Sequence, residues 1–406
     1  MLRFKNDDGS EFPEWEEKKI GELGAFIKGA ALSKADISES GFPLILYGEL
    51  YTTYKEVAYN IQRKTQAVVD KKYYSCVGDV IIPTSGESAE EISTATCVMV
   101  PDVILGGDLN IFRSCIVDGR IMSYILNHQA KWKIATIAQG KSIVHIQAKQ
   151  LANICVKYPL SKVEQQKIAE FLSTIDMVIE KQKETISAWE ERKKGVMQKL
   201  FSQEVRFKAD DGSEFSDWEE KKIDDVAICF AGATPSTKIP EYWEDGTIRW
   251  MSSGEVNNGQ IHDTERRISQ LGFDKCSTKM VKPNTVVMAL AGQGKTRGMV
   301  AITRVPLCTN QSLCAIETND DICDDYLYQY LQTQYNNLRL ISSGDGTRGG
   351  LNLKLVGGYT VGVPCFAEQQ KIADCLSSLD EVIEKQKTTL AVWEEMKKGL
   401  LQQMFV

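Results

Sequence analysis

Two long stretches of the chain place apolar side chains at alternating steps of four and three. The first runs Ile168, Leu172, Ile175, Ile179, Gln182, Ile186, Trp189, Lys193, Val196, Leu200. The second runs Ile372, Leu376, Leu379, Ile383, Gln386, Leu390, Trp393, Lys397, Leu400, Met404. A sustained period of 3.5 residues predicts helices that pair as a coiled coil. The polar interruptions fall at matching places, Gln182 with Gln386 and Lys193 with Lys397; polar residues in a seam cost stability but fix register. Pro159 precedes the first helix, and Ser161 with Glu164 forms a capping-box pattern. In the second, Pro364 is kept but Cys365 stands in place of the serine, so a weaker cap is expected there. At 1.5 Å per residue each helix should span roughly 50–55 Å.

The stretches at about 24–158 and 228–363 show a different rhythm, short apolar runs bounded by Gly, Asp and Pro. Residues 77–85, 97–105 and 110–117 read as strands in the first, and 247–253, 284–291, 298–305 and 312–318 in the second. Segments 121–133 and 324–340 suit short helices. Each stretch carries a Gly-rich or basic loop late in its course, at 137–146 and 342–352.

The helical stretches are copies of one another, with most positions of 164–201 recurring in 368–405. A second repeat lies N-terminal to each insert: 15 of the 18 residues Arg3–Ile20 recur in Arg206–Ile223. The inserts between these constant frames share almost no sequence. A catalytic site is not expected to diverge in this way between copies, whereas two readers of different targets on one frame would.

The 406 residues imply two to four domains. The 43% apolar and 25% charged fractions are those of a globular protein. No apolar run is long enough to cross a membrane, and the charged N-terminus is no secretory signal, so the expected location is the cytoplasm. The eleven cysteines are scattered without a paired spacing and the three histidines are far apart, which argues against a disulfide scaffold or a His-based metal site. The net charge of −7 hides its distribution. From 119 to 163 there are seven Lys/Arg and no acids, and from 275 to 316 six and none. Each insert can therefore meet phosphate while the frames stay acidic.

Residues 289–296 (ALAGQGKT) fit a loose phosphate-loop pattern. The sequence after it reads as another strand where such a loop needs a helix, and Ala289 replaces the first glycine. A polar, cationic hairpin facing DNA is the better reading of Gln293, Lys295 and Arg297. No adenine-methyltransferase, zinc-protease or nuclease signature is present.

In this order of pieces the chain resembles the specificity (S) subunit of type I restriction-modification systems. The resemblance is carried by the blocks EQQKIAEFLSTID and EQQKIADCLSSLD after Pro159 and Pro364, and by the openings at Trp15–Leu23 and Trp218–Ile223. The stretches 107–113, 138–146 and 232–243 add to it, and it extends over essentially the whole chain. It implies a mixed α/β fold with two target-recognition domains related by pseudo-twofold symmetry and joined by two long antiparallel coiled-coil helices. The expected divisions are 1–160 and 205–364 for the recognition domains, and 161–204 and 365–406 for the helices. It further implies double-stranded DNA as ligand, two methyltransferase subunits and motor-nuclease (restriction) subunits as partners, and no membrane. The chain itself would catalyse nothing and bind no cofactor or metal; S-adenosylmethionine, ATP and magnesium would belong to the partners. The rival readings are a stand-alone coiled-coil DNA-binding regulator and, through 289–296, a nucleotide-binding enzyme.

Cationic and hydroxyl side chains on acid-poor loops select the expected DNA contacts: Lys141, Ser142 and His145 in the first insert, and Thr234, Ser236, Gln293, Lys295, Arg297 and Arg348 in the second. The matched seam positions lead to a direct test of helix pairing. Cysteines engineered at Gln182 and Gln386 should crosslink; a crosslink only between positions in parallel register would refute the antiparallel arrangement.

Overall fold

The computed structural model describes residues 2–138, 140, 144–292, 295–342 and 350–405. Its contacts divide the chain into two units, Met1–Lys183 with Thr388–Val406, and Glu184–Lys387. The divisions fall at equivalent points of the repeats, inside the two long helices Lys162–Phe201 and Phe366–Phe405. Each helix has 40 residues, about 60 Å at the standard rise.

In both units a half of one long helix runs antiparallel to a half of the other. In the first unit Lys183 approaches Glu394 at 3.8 Å and Asp176 meets Lys397 at 2.8 Å. In the second, Glu190 meets Lys387 at 2.8 Å and Lys193 meets Asp380 at 2.7 Å. Of the seam positions, Ile168, Leu172, Ile175, Ile179, Ile186, Ile372, Leu376 and Ile383 are buried. Gln182, Trp189, Leu379, Gln386, Leu390 and Trp393 are half-buried. The ion pairs put Gln182 at the level of Trp393 and Gln386 at that of Trp189, so the two glutamines do not face each other as expected from their matched places in the repeats, and the crosslink that reports antiparallel pairing is the one between positions 182 and 393. Near the helix ends the seam positions Leu200 and Met404 stay buried and Met197 and Leu401 join them, because these turns pack into the globular cores as well as against the other helix.

The lysines in the seam are buried ion pairs. Lys193 is 8% exposed and bonds both Asp380 oxygens, which also accept from Gln329. Lys397 is 7% exposed and lies between Asp176 and Glu56, while Tyr124 donates to Asp176. Burial alone would raise the Glu56 pKa; the His128 ring 3.5 Å away and the Lys397 ammonium outweigh it and hold this carboxyl well below the usual range.

Glu164 departs from the expected capping box. Its backbone N–H bonds Ser161 Oγ at 3.3 Å, but its carboxylate, wholly buried, instead accepts from Arg3 Nε at 3.2 Å and Trp15 Nε1 at 3.1 Å. Glu368 does the same with Arg206 and Trp218. The carboxylate is drawn to charge-assisted donors rather than to a neutral backbone N–H. The frames are thereby pinned to the helices. Lys167 with Asp7, and Lys371 with Asp210, extend the same contact.

The frame strands Glu16–Lys19 and Glu219–Lys222 pair antiparallel with Cys155–Tyr158 and Thr360–Val363. The inserts between them have one fold despite their unlike sequences. In the first, a five-stranded sheet has the order Ala25–Lys28, Leu109–Arg113, Asp79–Pro83, Thr96–Val98, Val57–Ala58. In the second the order is Ala227–Ala231, Leu313–Thr318, Val286–Ala289, Val300–Thr303, Gln260–Ile261. In both, the last pair is parallel and the rest antiparallel.

Strand alternation gives each central sheet two apolar faces. Val80 and Ile82 join the core that holds Ile168 and Leu172 of the long helix, whereas Ile81 faces a second core with Ile45 and Leu105. Val286 and Met288, and then Val287 and Ala289, repeat this division. The second face is covered by a small sheet: Arg63–Thr65, Phe42–Ile45, Ile104–Leu105 in the first insert, and Arg266–Ile268, Ile248–Met251, Leu307–Thr309, Met280–Val281 in the second. The predicted strand at 97–105 is in fact two short strands, one in each sheet, with the chain turning at Asp102, φ 58. The predicted helices are each two, Gly119–Asn127 with Lys131–Ile137 and Asp324–Thr333 with Tyr335–Ile341.

Removing the buried ammonium should unequally weaken the two units. Lys397→Met strands two carboxylates and is expected to cost about 3–5 kcal/mol. Lys193→Met strands one, still bonded by Gln329, and should cost less. Because the Glu56 pKa is depressed from 4.5, its contribution is complete above about pH 4.5 and is lost as pH falls below it. Urea titrations across acid pH check both statements; equal losses in the two variants would refute the first.

Candidate nucleic-acid interface

Antiparallel neighbours put alternate strand ends at the same edge of a sheet, and this property gathers the candidate residues. In the second insert, one end of the central sheet receives the chain leaving Ala231 and Ala289 and the chain entering Leu313 and Val300. Thr234 and Ser236 lie exposed on the loop leaving the first of these strands. Thr234 Oγ1 bonds Gln311, in the turn that enters Leu313–Thr318. The neighbouring residue Ser312 accepts through its carbonyl from Leu290 N–H, at the foot of the hairpin that carries Lys295 and Arg297. Thus Thr234, Ser236, Lys295 and Arg297 share one end of the sheet.

Gly232 makes this crowding possible. A Cβ there would stand 1.9 Å from the Thr309 carbonyl oxygen, so only glycine lets the loop leave the sheet along that path. Gly29 has the same role in the first insert, where a Cβ would stand 2.1 Å from the Gly106 oxygen.

Lys295 is exposed, and Tyr335 donates to its carbonyl at 2.7 Å. Arg297 is half-buried in the turn before Val300–Thr303. A cleft of about 450 Å³ opens beside them, lined in part by Asn257, Lys295, Tyr328 and Tyr335. The loop at 289–296 is followed by a strand and offers no helix N-terminus to a phosphate chain.

In the first insert, His145 is exposed on the two-residue strand Val144–His145, paired with Ser85–Gly86. That ribbon follows the end of Asp79–Pro83, which is the corresponding end of the first central sheet. Lys141, Ser142, Gln293 and Arg348 lie outside the described residues.

The opposite end of each sheet belongs to the frame. Gln165 accepts from Asp118 N–H, and Lys162 reaches the Cys115 carbonyl, just beyond Leu109–Arg113. Gln369 accepts from Cys323 N–H and donates to the Asp321 carbonyl, just beyond Leu313–Thr318. Each insert therefore has a framed end and a loop-bearing end, and the described candidates Thr234, Ser236, Lys295, Arg297 and His145 are on the latter.

Sequence reasoning missed a set of cations close to this end. Arg63 and Lys64, and Arg266 and Arg267, are exposed on edge strands of the small sheets, and Lys34 and Lys238 are on the loops leaving the first strands. The signal that could have found them is two successive basic residues before a buried one, RKT and RRI. In the second insert Asp263 and Glu265 before the pair and Asp274 after it disguised it, keeping it outside the acid-free run. Among the described residues no group of His, Cys, Asp and Glu is placed to hold a metal, and no helix is long and apolar enough to cross a membrane.

The family model for the type I restriction modification DNA specificity domain matches residues 13–188 and again 215–392. The type I restriction enzyme MjaIX specificity subunit of Methanocaldococcus jannaschii is 33% identical over 211 residues, 51% of this chain and 48% of that subunit. The chain thus spans about half the length of that relative. The MjaVIII specificity subunit of the same organism is 24% identical over 414 residues, covering 98% of this chain and 94% of the subunit. The crystal structure of a type I restriction-modification system S subunit from M. genitalium has the same fold, with a TM-score of 0.65 at 17% identity over 100% of this chain and 98% of that one.

Base contact by Arg297 would have a narrow signature. Arg297→Ala should cost about 1–3 kcal/mol of specific binding and relax preference at one position of one half-site. An unchanged target sequence in the variant removes Arg297 from base readout.

Proposed function

Because the chain belongs to the family of the type I restriction modification DNA specificity domain, we propose that it is the sequence-specific DNA-recognition subunit of a type I restriction-modification complex. Each insert reads one half of a bipartite target, and the long helices set the distance between the halves. The target is asymmetric because the inserts differ where they face DNA. Two methyltransferase subunits and the restriction subunits dock on the constant helices and frames, and they carry the S-adenosylmethionine, ATP and magnesium chemistry in the cytoplasm. This chain selects the site and performs no catalysis.

The observation that supports this reading best is the contrast between fold and sequence in the inserts. Two stretches with the same strand order and the same framed end differ in nearly every residue of the loop-bearing end. A shared substrate would keep that end alike, and a shared catalytic step would keep its reacting groups.

Methylome sequencing of a host carrying this chain and its methyltransferase should return one motif of two unequal halves separated by a fixed gap. Replacing only residues 24–158 with the insert of another specificity subunit should change one half and leave the other half and the gap intact. A palindromic motif, or a change in both halves, would overturn the assignment of one insert to each half.

A further inference from the structure

The small sheets share a feature that the insert sequences conceal. Each ends in an edge strand of two exposed cations followed by a buried side chain, Arg63-Lys64-Thr65 and Arg266-Arg267-Ile268. The strands are topological equivalents. Each pairs antiparallel with a strand, Phe42–Ile45 or Ile248–Met251, that lies parallel to the short strand preceding the second strand of the central sheet.

Both edges are held from within by a buried glutamate that follows a glycine. Glu49, 3% exposed, accepts from Arg63 Nε at 2.7 Å and from Leu46 N–H at 2.9 Å. Glu255, 4% exposed, accepts from Glu265 N–H, next to Arg266, at 2.9 Å and from Ser252 N–H at 2.6 Å. The loop that leaves the first central strand runs alongside. Lys34 lines one cleft of about 560 Å³ with Arg63. In the second insert the Arg266 guanidinium lies 3.7 Å from the centre of the Trp243 ring, and Trp243 Nε1 donates to the Ser236 carbonyl. Asp263 accepts from both Arg249 and Arg267.

We propose that these two basic edge strands are the sequence-blind grips of the inserts on the DNA backbone. Lys64 and Arg267 contact phosphate, and Arg63 and Arg266 extend the positive edge. The assignment rests on the DNA-recognition reading above. A guanidinium stacked on an indole is fixed in orientation, and its in-plane N–H groups stay free for an anion. A carboxylate that bridges two arginines fixes them in the same way. Charge on an edge strand also blocks pairing with another chain. That role needs only charge, whereas here Arg63 is oriented by buried Glu49, Arg266 by Trp243 and Arg267 by bridging Asp263, and the strands sit beside the loops that carry Lys34 and Ser236. Phosphate contacts position a protein without reading sequence, so the two inserts can share this device while their targets differ.

The test uses the full chain and a labelled duplex of arbitrary sequence, with binding measured across a salt series for Lys64→Ala, Arg267→Ala and the double variant. The slope of log affinity against log salt should fall in magnitude by about 0.9 for each substitution, equally on all sequences. The methylated motif should stay as it is. Lys64→Arg and Arg267→Lys, which keep the charge, should keep the slope. If all variants melt like the parent and bind with the parent's slope and affinity, the cations only guard the strand edges and the proposal fails. A changed motif would make them base readers and would also overturn it. If the unmutated chain shows no salt-dependent binding to any duplex, the DNA-recognition reading itself falls, and this assignment with it.

Discussion

Each unit depends on one ammonium that has been taken out of water. Lys397 and Lys193 lie where two helices and an insert meet, and a charge buried there is tolerable only if carboxylates come to it. That need fixes the axial position of one helix against the other. Asp176 and Asp380 are on the partner helix stretch, so a slip of one turn would leave both the lysine and the aspartate buried alone. Hydrophobic side chains along the seam are less selective, since one isoleucine fits nearly as well as the next. The apolar residues supply adhesion and the ion pair supplies register.

The same centres also seat the inserts. Tyr124 donates to Asp176 and Gln329 to Asp380, from equivalent helices of domains that otherwise share little sequence. Glu56 adds a third partner in the first unit only. The frame thus asks of an insert a hydrogen-bond donor at one place, a glutamine acceptor–donor contact at the helix start, and a pleated sheet with two apolar faces. Everything at the far end of the sheet is left unconstrained, which lets the loops there vary without disturbing the scaffold.

The long helices were legible because a 3.5-residue period held over ten positions is the mark of paired helices and of little else. The central strands were legible from runs such as Val80–Ile82 and Val286–Ala289, buried on both faces. What the pattern could not show was partnership across distance. Glu164 looks like a cap because Ser161 is three residues away, yet its carboxylate answers Arg3, 161 positions earlier. Of the small sheets only Ile248–Met251, within the expected strand 247–253, and Ile104–Leu105, at the end of 97–105, were foreseen; the other strands were missed because they are two to four residues long, too short for a period to register. The basic edge strands escaped for the same reason, and because Asp263 and Glu265 restore local neutrality in one dimension, although in the structure the Asp263 carboxylate is taken up by Arg249 and Arg267. Thr234, Ser236, Lys295 and Arg297 did come to one end of the second central sheet, which was a matter of strand direction rather than of residue type.

The division of the chain has a consequence for biosynthesis. The second unit, Glu184–Lys387, is one uninterrupted segment and can complete its core as soon as that segment has left the ribosome. The first unit begins earlier but cannot close, since Leu401, Met404 and Phe405 of its core are made only after the whole of the second unit. Tyr124 and Trp15 wait for the ring of Phe405, and Glu56 for the ammonium of Lys397. The unit that begins first is therefore the last to mature, and a chain cut one turn before Phe405 would carry a finished second unit and an open first one.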